Sequence, residues 1–112
     1  MIVYTAGPYQ SILNKDGKTI ISKKHNLKVA RNIAIDLWDE GYTVICPHLN
    51  TKDFEFYTCL TNEGFVTSDL EIVSLVDALV MLPNWYLSNG AVRERGHALE
   101  SGVRVVVWPE LP

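Results

Sequence analysis

With 112 residues, 47% of them apolar and 21% charged, the chain has the profile of one folded domain, and no stretch is biased enough to read as disordered. A formal charge of -3 argues against an electrostatic grip on a nucleic-acid polymer. The longest apolar stretch, residues 72–82, is broken by Ser74 and Asp77 and is too short to cross a bilayer.

The chain opens with Met1-Ile2-Val3-Tyr4, which runs into a strand without the basic segment of a signal peptide, so the cytoplasm is the expected compartment. Residues 2–6 form a short, unbroken apolar run of the kind a parallel strand shows when both its faces are covered. A long connection follows, residues 9–25. It holds the lysines at 15, 18, 23 and 24, interrupted by Asp16, and reads as a solvated loop. Leu27, Ala30, Ile33, Ala34, Leu37 and Trp38 then repeat at helical spacing, and Gly41 supplies a stop. Residues 43–46 predict a second buried strand, with Cys46 as a free thiol within it.

A second long connection, residues 47–66, carries Phe54, Phe56, Tyr57 and Phe65. Those aromatics suit stacking on a base or burial against another subunit, and equally a small satellite core that holds the loop down. Leu70, Val73 and Val76 predict a helix that opens with a capping box of Ser68 and Glu71. Residues 78–82 predict a third strand, preceded by Asp77 as a structural hydrogen-bonder. Residues 89–101 predict a helix ended by Gly102, and residues 103–108 a fourth strand closed by Pro109.

This strand–helix alternation predicts one α/β domain over residues 1–112, a Rossmann-like or flavodoxin-like three-layer fold. Its small parallel sheet of four or five strands has the order 2-1-3-4 and is flanked by helices. Ligands of such sheets bind beyond the carboxyl ends of the strands. That places a site near Gly7-Pro8, Pro47-His48 and Pro83-Asn84. Cys46 and Cys59 lack metal-ligand spacing, and neither His48 nor His97 has a partner at such spacing, so no metal and no cofactor are expected.

The informative stretch is residues 82–98, Leu-Pro-Asn-Trp-Tyr-Leu-Ser-Asn-Gly-Ala-Val-Arg-Glu-Arg-Gly-His-Ala. It runs from a strand end into a helix N-terminus, where free amides and the dipole favour an anion or a polar sugar. Gly90 and Gly96 each cost a helix about 1 kcal/mol relative to alanine, so each calls for a packing or ligand-approach reason. Glu94 shares a helix face with Ala98, where small side chains leave room.

The pattern Ser88-x-Gly90-x-x-x-Glu94-x-Gly96-x-Ala98 resembles the catalytic signature of the nucleoside 2-deoxyribosyltransferases. It resembles still more closely that of the deoxynucleoside 5′-monophosphate N-glycosidases. Tyr4-Thr5-Ala6-Gly7-Pro8 is similar to the family's strand-one motif, and Asp69 matches an aspartate that opens the helix before its third strand. The nearest likeness is to small phage and bacterial deoxyribosyltransferase-like proteins of unassigned function.

The resemblance implies that Glu94 attacks the anomeric carbon, that Asp69 handles the proton of the departing base, and that Tyr4 holds Glu94 by a hydrogen bond. It implies a substrate site of Gly7, Pro8, Ser88, Asn89, Gly90, Arg93 and Trp85, with Trp85 as a lid or as an anchor of its loop. Enzymes acting on free nucleosides carry aspartate where this chain has Ser88, whereas the nucleotide-hydrolysing relatives carry serine beside the phosphate. Ser88, the helix N-terminus and Arg93 or Arg95 would then hold a 5′-phosphate. The expected partner is a small nucleoside or nucleotide, in a homodimer or larger homo-oligomer with residues 53–65 near the contact.

A nucleotide sensor without turnover is the alternative function. A phosphoribohydrolase is disfavoured because the double-glycine run of that family is absent. On the duller reading Glu94 is a solvated helix carboxylate between Arg93 and Arg95, and Asp69 a helix N-terminal acid whose pKa the dipole lowers.

Overall fold

The computed structural model describes residues 1–112. Four parallel strands form the central sheet: β1 (Ile2–Ala6), β4 (Thr43–Ile45), β5 (Ala78–Met81) and β6 (Arg104–Val107), in the order β4-β1-β5-β6. Tyr4 is in register with Ile45 on one side and with Leu79 on the other, and Leu79 pairs onward with Val105. In chain order this is 2-1-3-4, the Rossmann-like or flavodoxin-like arrangement predicted above.

The two central strands lack alternation because both their faces are covered. Val3, Ala78, Val80 and Val106 point into one core with Ala30, Ile33 and Leu37 of helix α1 (Lys23–Asp39). Tyr4, Ala6, Leu79 and Met81 point into the other, beneath helices α3 (Asn62–Val73) and α4 (Asn89–Glu100). Ser22 caps α1 by accepting the His25 amide at 3.0 Å, and Gly41, at φ 95°, turns the chain into β4. Asp77 accepts the Ile2 amide at 2.7 Å and ties the start of β1 to the entry of β5. No helix is long and apolar enough to cross a membrane.

Both long connections carry structure that local pattern does not reveal. Residues 9–25 contain a hairpin of β2 (Ile12–Leu13) and β3 (Thr19–Ile21), strands too short to alternate. Lys23 opens α1 and is ion-paired to Asp53 and Glu55, at 3.1 and 3.0 Å, so it is not a solvated loop lysine. Residues 47–66 hold helix α2 (Pro47–Asn50), a 3-10 turn (Phe54–Phe56) and the first turns of α3. Cys46 is the N-cap residue of α2, one position past the end of β4.

The predicted capping box at Ser68 and Glu71 is wrong. Thr61 caps α3 by accepting the Gly64 amide at 3.1 Å, which leaves Ser68 in mid-helix and Val76 beyond the helix end. Asp69 therefore sits toward the carboxyl-terminal end of α3 and does not open it.

Candidate active site

The cleft lies at the carboxyl end of β1, where the chain leaves the sheet through Gly7 and Pro8. A Cβ on Gly7 would stand 2.6 Å from the Cβ of Leu82, so only glycine allows the two strand ends to approach this closely. The cavity encloses about 360 Å³ and has two walls. One is formed by Asp69 of α3 and by Ser88, Asn89, Gly90 and Glu94 at the start of α4. The other comes from Tyr9, Gln10, His48 and Glu55.

Tyr4 lies directly beneath. Its ring is fully buried in the core, and its hydroxyl donates to the Glu94 carboxylate. Glu94 is itself only 7% exposed, although its neighbours Arg93 and Arg95 are on the same helix. The reading of Glu94 as a solvated carboxylate therefore fails.

Burial pushes the Glu94 carboxyl up to about 8, with the Asp69 charge adding to the rise and the Tyr4 hydrogen bond opposing it. Burial likewise raises Asp69, to about 6, again against the pull of Tyr4. The expected dipole effect on Asp69 is absent because the residue is not at a helix N-terminus. Burial, followed by the charges of Glu94 and Asp69, drives the Tyr4 hydroxyl far above its ordinary range, so it remains a donor. Two carboxyl groups with raised and separated pKa values, one of them fixed by the buried Tyr4 hydroxyl, can attack with one and move a proton with the other.

Ser88 caps α4, its Oγ accepting the Ala91 amide at 3.1 Å. The hydroxyl proton stays free to donate outward, beside the first-turn amides of Asn89 and Gly90, which have no partner within the helix. This turn is built for an anion or a polar sugar edge.

The structure thus gathers Glu94, Asp69, Tyr4, Gly7, Pro8, Ser88, Asn89 and Gly90 at one place. Arg93 and Trp85 stand apart. Arg93 is directed away from the cavity and binds Glu63 of α3 at 2.7 Å. Trp85 packs against the core with the Arg95 guanidinium 5.2 Å from its ring centroid, as an anchor of the loop. The glycine argument also needs correction. A Cβ on Gly96 would meet nothing within 4 Å, and one on Gly90 a Val66 methyl at 3.4 Å and the Ser88 hydroxyl at 3.8 Å, ordinary contacts, so packing requires neither glycine, while Gly90 does line the cavity.

Pro47 and His48 line the cavity, as the carboxyl-edge argument predicts. His48 is buried, and its Nε2 lies 2.9 Å from the Pro8 carbonyl. Burial lowers its pKa, so the ring is neutral; Nε2 then donates to Pro8 and Nδ1 is left as an acceptor without a partner. Glu55, Gln10 and Phe65 line the same space. Phe65 belongs to the aromatic set expected to stack on a base or hold the loop down, whereas Glu55 and Gln10 have no sequence signal but position, within connections too long to be idle. No cluster of three or more His, Cys, Asp or Glu side chains has metal-binding geometry.

The profile of a domain of unknown function, DUF4406, matches residues 1–107. The fold is similar to that of a 2-deoxyribosyltransferase from the psychrotolerant bacterium Bacillus psychrosaccharolyticus, with a TM-score of 0.61 and 21% identity. The alignment covers 100% of this chain and 77% of that one, and at this identity the likeness is one of fold. No curated protein matches the sequence.

Proposed function

The chain belongs to the DUF4406 family of domains of unknown function, and we propose that it cleaves or exchanges the N-glycosidic bond of a nucleoside or nucleotide through Glu94. The observation that carries this reading is the buried Tyr4–Glu94 hydrogen bond at the foot of a cleft that Asp69 also lines. The fold is also that of a protein described as a biocatalyst for nucleoside synthesis.

The Glu94 carboxylate attacks the anomeric carbon as the bond to the base breaks, and the departing base nitrogen takes the proton of Asp69. The product of that step is a glycosyl ester on Glu94. Water, or a second base, then attacks the same carbon, gives its proton to Asp69, and releases the Glu94 carboxylate. Tyr4 keeps Glu94 in place throughout by donating to the oxygen that does not attack.

This sequence of steps needs one proton on the pair, and needs it on Asp69. Because Glu94 is raised further than Asp69, that is the minor of the two singly protonated arrangements, and the proton moves from Glu94 to Asp69 before attack. Below about pH 6 both carboxyls are protonated and no nucleophile exists; above about pH 8 both are ionised and no acid remains. The expected kcat/KM profile is a bell with limbs near those values, belonging to the pair and not to either residue. A rate unchanged between pH 5 and 9 would rule out the paired mechanism.

The phosphate-side expectation narrows, because Arg93 faces Glu63 and only the first turn of α4 and the Ser88 hydroxyl are available. Nucleoside monophosphates should react about tenfold better than the matching nucleosides, and added salt should erode the difference. Equal rates would remove the phosphate and leave Glu94 untouched. The reading also includes a second copy of the chain packed on the exposed aromatics Phe54, Phe56 and Tyr57.

The experiment that tests the function is incubation with a panel of nucleosides and deoxynucleotides, followed by chromatography for free base. A nucleotide sensor is the second reading, favoured by the raised pKa of Glu94, which leaves that carboxyl largely protonated at neutral pH. Thermal stabilisation by a nucleotide without base release would select the sensor.

A further inference from the structure

The part of the cleft lined by Tyr9, Gln10, His48 and Glu55 takes no part in the glycosyl chemistry, yet it contains the most heavily bonded charged group lining the cleft. Glu55 Oε2 accepts from Lys23 Nζ at 3.0 Å and from Gln10 Nε2 at 3.2 Å, and Oε1 accepts from the Tyr9 hydroxyl at 3.2 Å. Tyr9 is fixed in turn by the Asp53 amide, which donates to its hydroxyl at 3.0 Å. Lys23 also binds Asp53 at 3.1 Å and lies 4.6 Å from the Tyr9 ring centroid. One ammonium therefore serves two carboxylates, and this wall keeps net negative charge.

Burial works to raise the Glu55 pKa, but hydrogen bonds from its own backbone, Lys23 and Tyr9 prevail and hold it below the ordinary carboxylate range. The group is thus an ionised, oriented acceptor. Oε1 has a single partner at a long distance and a lone pair to spare, and the side chain is still 26% exposed on the cleft side of the turn. Such an acceptor suits an N–H donor and repels a phosphate or a carbonyl oxygen.

With the sugar at Glu94 and the 5′ end at the start of α4, as the proposed function has them, the base extends toward this wall. We propose that Glu55, held in position by Lys23, Tyr9 and Gln10, selects nucleotides whose base carries an exocyclic amino group. Cytosine and adenine present an amino N–H to Oε1. Their oxo counterparts, uracil and hypoxanthine, present a carbonyl oxygen at the same place, so that two acceptors meet and the carboxylate loses water without gaining a bond. Lys23 is a positioning residue: it touches no substrate and acts by fixing the charge and direction of Glu55.

The test is calorimetric titration of the Glu94→Gln chain, in which turnover is blocked, with dCMP, dUMP, dAMP and dIMP. Each amino nucleotide should bind at least about tenfold tighter than its oxo partner. Adding Glu55→Gln should bring both ratios close to one, and adding Lys23→Gln should reduce them while leaving the melting temperature nearly unchanged, since these are partly exposed ion pairs. Equal affinities within each pair, a preference that survives Glu55→Gln, or no binding of any of the four would overturn the proposal. Selective binding together with a wild-type chain that releases no base would sink the glycosidase reading and leave this one standing.

Discussion

Glu94→Gln lowers base release by at least about two orders of magnitude, equivalent to roughly 3 kcal/mol of transition-state stabilisation. The amide keeps the size of the side chain and can still accept from Tyr4, but it cannot form the glycosyl ester or neutralise a developing oxocarbenium ion. The measurement is single-turnover base release on a confirmed substrate. Near-normal release by this variant would end the catalytic assignment. Asp69→Asn slows the same step by less if Asp69 only orients the base. Glu100→Gln is the control, since Glu100 lies exposed at the end of the same helix.

The same variant has a stability consequence whose sign follows from linkage. An unfolded glutamate titrates near 4.5, whereas Glu94 in the folded chain is pushed up to about 8. Between those values the native state binds the extra proton, so native stability falls as pH rises, and the full penalty is present above about pH 8. Glutamine avoids it. The melting temperature of Glu94→Gln should therefore exceed that of the wild type, by a gap that widens from pH 5 to pH 8 and then levels off. On the linkage relation the stability difference behind that gap is on the order of a few kcal/mol. A gap independent of pH would show that burial of the carboxyl is not the cause.

Gly7→Ala should have the largest effect on folding among the cleft residues. The added methyl would sit 2.6 Å from the Cβ of Leu82, an atom that cannot swing aside because it is attached to the backbone. Leu82 is also 2% exposed and donates its amide to Ala6 at 2.8 Å, so relief requires the ends of β1 and β5 to separate. Overpacking of this kind costs about 1–3 kcal/mol, or a fall in Tm of roughly 5–15 °C for a domain of this size. Because Pro8 follows immediately and its carbonyl holds His48, the cleft should widen as well. Gly96→Ala is the counterpart. Its methyl meets nothing, and the variant should gain about 1 kcal/mol from helix propensity alone. An unchanged Tm for Gly7→Ala in thermal melts would contradict the close approach of the two strand ends.

Much of this fold is written in local sequence. Residues 2–6 and 78–82 are unbroken apolar runs because both faces of a central parallel strand are covered, and that alone separates them from half-exposed strands. The repeat from Leu27 to Leu37 with Gly41 behind it marks α1, and Gly102, at φ 74°, marks the end of α4. With four strands and right-handed crossovers, few sheet orders remain, and the carboxyl edge follows as the ligand side.

Local pattern misplaces the start of α3 because Ser68 and Glu71 have the spacing of a capping box while the true cap, Thr61, follows an irregular segment without apolar period. The hairpin leaves no pattern in the sequence because strands of two and three residues are too short to show alternation. Tertiary structure alone decided how the polar side chains are partnered. Lys23 meets Glu55 across 32 positions, Arg93 meets Glu63 across 30, and Tyr4 meets Glu94 across 90. A hydrogen bond of this kind satisfies a charge through space and leaves no period in the chain. Motif spacing could therefore single out Glu94 from a resemblance, but it could not tell that Arg93, one residue away, faces α3, nor that a carboxylate from a distant turn forms the other wall. Those outcomes depend on which groups the packed sheet and helices bring within about 3 Å, where burial makes an unpaired charge costly and a paired one permanent.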